Sequence, residues 1–175
     1  LRSLVGSEMC IRDRCLRYLM NNNSFTAFNT NKADVRFDPA LDRVVFMVHN
    51  DEGRIIGGVG RSLNYNVLPK WYVYGSKKYP FICGEGDTAV ILEDCASACA
   101  VSDNFAGLAL MGTSLPQEYT TVIKKRFKNV IVALDRDATT KAFDIAREVG
   151  MVAHTRVVML EDDLKYFKPD EIKDM

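Results

Sequence analysis

The chain has 175 residues, 47% of them apolar, with 23 basic and 23 acidic side chains and a formal net charge of zero. That length and apolar share exclude a disordered chain and allow one domain, or two small ones, with a real core. The zero balance hides an asymmetry: residues 15–85 carry nine Lys and Arg against six acids, and residues 86–175 carry eleven against fifteen. A basic first part beside an acidic second part fits a surface for a polyanion next to a metal site.

Residues 1–14 resemble translated sequencing-adapter read-through. They lack the clean apolar core and small-residue cleavage site of a signal peptide, and they are no membrane span. They are set aside as a non-native leader, with the natural sequence expected from about Cys15; the competing reading is a short amphipathic helix. Residues 15–86 read as a β-rich part. Residues 43–49 form one strand, Asn50 to Gly53 a turn with Gly53 supplying the unusual backbone angles, and residues 54–61 the returning strand. Gly57, Gly58 and Gly60 in that strand permit close approach of another backbone. Residues 64–74, polar and aromatic, read as irregular, and residues 79–87, with Pro80, Gly84 and Gly86, as a connector.

From Thr88 the pattern alternates. Strands are expected at 88–92, 106–111, 130–134 and 153–159, with helices at 95–102, 117–127 and 140–149, the last stopped by Gly150. A β-α-β-α-β-α-β series predicts a second domain, residues 87–175, built on a four-stranded parallel sheet flanked by helices with right-handed crossovers. Of the five cysteines, Cys95 and Cys99 stand four apart on a predicted helix and should pack inward. There is no Cys-x-x-Cys pair, and His49 and His154 lack metal-ligand spacing, so no zinc is expected. Nothing points to secretion, which predicts reduced thiols and a cytoplasmic location.

The apolar run 129–134 ends abruptly in Asp135 and Asp137, and the run 88–92 ends in Glu93 and Asp94. The fourth strand leads to Asp162 and Asp163. All would leave the carboxyl ends of parallel strands, where an open α/β sheet places its ligands. Carboxylates gathered there can hold magnesium, or manganese in its place, through oxygen; the competing reading is a set of solvated loop carboxylates. No Ser-His-Asp set is apparent, and Gly57-Gly-Val-Gly60 lacks the Gly-Lys-Ser/Thr of a phosphate-binding loop. Phosphoryl chemistry would rest on a metal ion and basic side chains.

A strand ending in Glu93, then a strand ending in Asp135-x-Asp137, on this alternating chain, resembles the TOPRIM domain shared by primases, topoisomerases and some nucleases. The resemblance covers about half the chain. The preceding strand, Gly turn and Gly-rich strand ending in Gly60-Arg61, followed by Pro69-Lys70-Trp71-Tyr72, looks like the region before TOPRIM in bacterial and phage-type DNA primases. The chain departs from that pattern in having Asp94 after Glu93, Ser97 near the place of a later aspartate, and Ala138-Thr139-Thr140 after Asp137. The resemblance implies a catalytic-core fragment, or a reduced phage primase, making RNA primers on single-stranded DNA from nucleoside triphosphates. It implies Glu93 as ligand or general base, Asp135 and Asp137 as metal ligands, and Asp94 as a further candidate. Arg54, Arg61, Lys70, Trp71 and Lys141 would bind nucleic acid or nucleotide, with Tyr72 and Tyr74 available to stack on bases. A replicative helicase would be a partner, a membrane would not, and a phage-encoded chain would work in its host's cytoplasm. Three other readings stand beside it: a TOPRIM-type nuclease using the same acids, a phosphoacceptor receiver domain, and a non-catalytic nucleic-acid-binding fragment. The receiver needs a fifth strand and a late lysine.

Overall fold

The computed structural model describes residues 2–112, 114–160, 164–167 and 169–173. Strands β1 (Val35–Asp38), β2 (Arg43–His49), β3 (Ile55–Ser62) and β4 (Trp71–Gly75) pair in sequence order as an antiparallel sheet. The β2–β3 turn closes as expected: Gly53 has φ of 73°, and the Asn50 side chain accepts the backbone N–H groups of Glu52 (3.1 Å) and Arg54 (2.9 Å). The glycines of β3 matter for packing. A β-carbon on Gly57 would lie 2.5 Å from the Tyr74 carbonyl oxygen, and one on Gly60 2.7 Å from the Tyr74 ring. Strand β4 lies within the segment read as irregular. It is a short edge strand of aromatic and β-branched residues, a composition that fits a pleated surface, and its polar flank masked the alternation.

The second sheet contains β5 (Phe81–Cys83), β6 (Thr88–Leu92), β7 (Ala106–Ala109), β8 (Asn129–Asp135) and β9 (His154–Leu160), in the order β5-β7-β6-β8-β9. The last four are parallel, but β5 runs antiparallel to β7. The expected four-stranded parallel sheet is therefore a mixed sheet of five. The added strand sits in the presumed connector and is too short, at three residues between Pro80 and Gly84, to show a period.

Helices α1 (Arg2–Asn21) and α2 (Phe25–Asn29) open the chain; α1 passes through Cys15 without a break. Helices α3 (Cys95–Ala100), α4 (Gln117–Arg126) and α5 (Thr139–Val149) connect the parallel strands. Gly150 follows α5, as expected, but with φ of −60° and not in a left-handed turn. The central strands are buried on both faces, which is why they read as apolar runs. Ala89, Ile91, Val130, Val132 and Leu134 pack beneath α4 and α5 with Tyr119, Ile123 and Ile145. Val90, Leu92, Ile131 and Ala133 face the other way, toward α3, α1 and the antiparallel sheet, where Phe46 of β2 meets Phe81 of β5 edge to face at 5.6 Å. One core thus joins the two sheets, and truncating Phe46 to Ala would cost about 3–5 kcal/mol. Cys95 and Cys99 point into it, as expected.

Helix α3 lies flush on β7. A β-carbon on Gly107 would fall within the backbone of Ala98. A 3-10 turn, Leu164–Tyr166, and helix α6 (Pro169–Lys173) return to the same core through fully buried Leu164 and Ile172. The Asn23 amide secures that turn by donating to the carbonyls of Lys165 (2.8 Å) and Phe167 (3.0 Å). Asp162 and Asp163 lie outside the described residues. Among the described residues no helix is long and apolar enough to cross a membrane.

Candidate functional site

The acidic edge follows from strand pairing. Strands β6 and β8 are neighbours in register, Ile91 opposite Val132, so Glu93 and Asp135 leave adjacent strand ends. Glu93 is exposed, Asp135 ends β8 half-buried, and Asp137 stands exposed in the 3-10 turn Arg136–Ala138. Lys141, in the first turns of α5, brings its Nζ to 3.7 Å from Glu93 Oε1 and donates to the Gly112 carbonyl at 3.0 Å. Among the described residues, no three of His, Cys, Asp and Glu stand close enough to hold a metal ion together. The donors are hard oxygens, which suits magnesium, but they do not form a closed protein cage.

Asp94 is differently employed. Its Oδ1 accepts the Ser97 N–H at 2.9 Å and caps α3, and its Oδ2 accepts from Lys165 Nζ at 3.0 Å. The two side chains are only 16% and 14% exposed. The neighbouring hydroxyl of Tyr18 is kept neutral to high pH, because burial and the Asp94 charge both push its pKa well up.

Two cavities meet here. One of about 330 Å³ is lined by Glu93, Asp94, Lys141, Trp71, Lys77 and Met111, among others; Asp135 and Asp137 are not on its wall. Met111 turns the chain after β7 with φ of 55°, a left-handed conformation costing about 1–2 kcal/mol in a residue with a β-carbon. The other, a groove of about 800 Å³, is walled by the cations Arg14, Arg17, Arg61, Lys70 and Lys165 with Asp94 as its acid. Trp71 and Asp94 line both spaces, so groove and acidic cavity are adjacent.

Arg43 builds the groove wall from behind. It is 3% exposed and donates to the carbonyls of Pro69 (2.8 Å), Gly60 (3.3 Å) and Lys70 (3.4 Å), fastening the Pro69–Lys70 limb to β3. Arg61 stacks over Trp71 at 5.2 Å, and Trp71 leans on Phe46 at 6.4 Å, so that ring is already covered. Tyr74 donates to Asp38 at 2.6 Å. That bond, with the Leu41 and Ala40 N–H groups, holds the Asp38 carboxyl below its usual range. Burial and Asp38 together push Tyr74 up to about 12. Arg54 is not part of the groove. It pairs with Glu52 at the hairpin turn, seven residues along the strand from Arg61, or about 23 Å.

The structure thus brings Arg61, Lys70, Trp71, Glu93, Asp94 and Lys141 around two adjacent spaces, leaves Asp135 and Asp137 off both walls, and places Arg54 apart. Sequence reasoning missed Arg14, Arg17, Tyr18, Tyr65, Lys165 and Tyr166 on the groove wall. The spacing of Arg14, Arg17 and Tyr18 puts them on one helix face, a usable signal, but Arg14 fell in the residues set aside. Lys165 carried no signal, since its partner is 71 residues away.

No family model matches the sequence. The chain is 28% identical over 149 residues to the DNA primase of Halalkalibacterium halodurans, covering 74% of this chain and 24% of that protein. It is 30% identical over 133 residues to the DNA primase of Clostridium acetobutylicum, covering 65% and 22%. The chain therefore spans about a quarter of the length of these curated relatives. Among solved structures, the E. coli primase catalytic core superposes with a TM-score of 0.59 at 21% identity, over 71% of this chain and 47% of that one. A DnaG primase catalytic domain bound to single-stranded DNA gives 0.57 at 22% identity, over 70% and 47%. The Aquifex aeolicus primase, with zinc-binding and RNA polymerase domains, gives 0.58 at 24% identity, over 75% and 36%. Similarity to proteins named DNA primase and a shared fold point the same way: this chain has the fold of part of a bacterial primase catalytic core.

Proposed function

We propose that the chain is a TOPRIM-type primase core that makes RNA primers on single-stranded DNA by nucleotidyl transfer. The observation that carries this reading is the adjacency of a cationic groove and an acidic strand-end cavity, which share Trp71 and Asp94. A template strand needs phosphate contacts along its length, and Arg17, Arg61 and Lys70 supply positive charge there without a carboxylate partner among the described residues. A solved relative in fold carries single-stranded DNA, which agrees with that use of the groove.

In this reading the incoming nucleoside triphosphate sits at the acidic edge. Lys141, anchored on the Gly112 carbonyl, turns its ammonium toward the triphosphate, and Glu93 accepts the proton of the attacking hydroxyl or joins the ligand set. Glu93, Asp135 and Asp137 would hold magnesium, or manganese, whose charge offsets that of the phosphates. Magnesium is commonly bound by one or two carboxylates with waters and substrate phosphates filling its octahedron, so carboxylates that share an edge without forming a cage fit such a site. A parent protein of phage origin and a replicative helicase as partner complete the proposal.

The test is product analysis. Incubated with single-stranded DNA, ribonucleotides and magnesium, the chain should yield new oligoribonucleotides, and none in chelator. Shortened DNA in place of new RNA would assign the same edge to a nuclease and overturn the primase reading.

A further inference from the structure

The groove contains a feature that phosphate binding alone does not require. Tyr65 is 91% exposed and Tyr166 is 60% exposed, yet both line the same groove. Each stands on a backbone turn that is itself secured. Tyr65 stands on a built turn: the Asn64 side chain accepts the Asn66 N–H at 3.0 Å, the Asn64 carbonyl accepts the Val67 N–H at 3.2 Å, and Arg43 pins the returning Pro69–Lys70 limb. Tyr166 stands on the 3-10 turn anchored by buried Leu164 and by the Asn23 amide, with Lys165 Nζ 5.4 Å from its ring.

The other aromatics on the groove wall are less available: Trp71 is covered by Arg61, and Tyr18 packs against the core. Exposed aromatic rings beside cations, with Lys165 near one face of Tyr166, suit an unpaired base next to its own phosphate. A duplex hides its base faces, and a bare polyanion has none.

We infer that Tyr65 and Tyr166 are two stacking platforms that grip unpaired bases in the groove and make it select single-stranded, base-bearing nucleic acid. The inference rests on the reading of the groove as the template path and adds to it a source of strand selectivity. The charges hold any polynucleotide; the two rings distinguish a strand with free base faces from one without.

Two labelled oligomers of equal length test this with the full chain: oligothymidylate and an abasic oligomer with the same phosphates. The wild type should bind the base-bearing strand more tightly, by about five- to 150-fold for each stacked base. Y65A/Y166A should fall to the abasic level with an unchanged dependence on salt, because the phosphate contacts remain. Y65F/Y166F should bind as the wild type, since the face and not the hydroxyl does the work. Equal binding of the two oligomers by the wild type would overturn the inference while leaving the groove as a nucleic-acid path. Failure of both oligomers to bind would remove the inference and the reading of the groove together. Loss of binding in Y65F/Y166F would assign the effect to hydrogen bonding and refute stacking.

Discussion

The Asp94–Lys165 pair allows a structural carboxylate to be told from a metal ligand. Asp94→Ala removes a helix cap, worth about 1 kcal/mol. It also takes from the Lys165 ammonium, which is 14% exposed, its carboxylate partner. Stranding one member of a fully buried pair costs about 3–5 kcal/mol, and a surface pair contributes about 0–1 kcal/mol. With both side chains largely covered, a cost of about 2–3 kcal/mol lies between these limits. The Asp94→Ala variant should therefore lose about 3–4 kcal/mol in urea unfolding. Asp94→Asn keeps an oxygen for the Ser97 N–H and should lose only the charge part, about 2 kcal/mol. Lys165 makes a further interaction besides this pair, so Lys165→Met by itself mixes two effects. The double variant D94N/K165M isolates the pair, and a coupling of about 1–2 kcal/mol is expected. None of these differences should depend on magnesium. Two results would refute the reasoning: additive single effects, or an Asp94→Asn chain that is as stable as wild type in chelator and has lost the stabilisation magnesium gives.

Asp135→Asn should abolish magnesium-dependent primer synthesis; a fully active variant would end its assignment as a ligand. Mutating Arg61 and Lys70 together to Ala should weaken single-stranded DNA binding about equally for all sequences and flatten the salt dependence by about two charges' worth, whereas Arg54→Ala, at the far end of β3, should leave titrations unchanged. Tyr74 titrates higher in the folded chain than its ordinary 10.0, at about 12. Its contribution is thus complete below pH 10 and lost as pH rises through about 12, and Tyr74→Phe should flatten the alkaline limb of a stability–pH curve.

Much of the second sheet was legible because its strands are covered on both faces. The run Val130 to Leu134 is apolar throughout, and its flanking helices carry their own period. Strand β5 was hidden by its brevity, and β4 by an edge position whose solvent side mixes Tyr72 with apolar neighbours. At the site, carboxylates at strand ends could be read from where apolar runs stop. Their relation to the groove could not, because the wall is assembled from α1, the Pro69–Lys70 limb and the turn at Lys165, which are distant in sequence. Arg54 and Arg61 were grouped because they flank one glycine-rich strand. An extended strand places its two ends far apart, and that geometry separates them.

The flush seating of α3 on β7 limits how this sequence can drift. Residue 107 touches neither cavity, yet any side chain there would drive α3 off the sheet, and with it the Asp94 cap and the Lys165 ammonium it holds. At Gly112, on the wall of the acidic cavity, a β-carbon would meet nothing within 4 Å. A saturation library would therefore invert the usual expectation. The position beside the chemistry should accept many residues, and the position behind it should accept glycine alone.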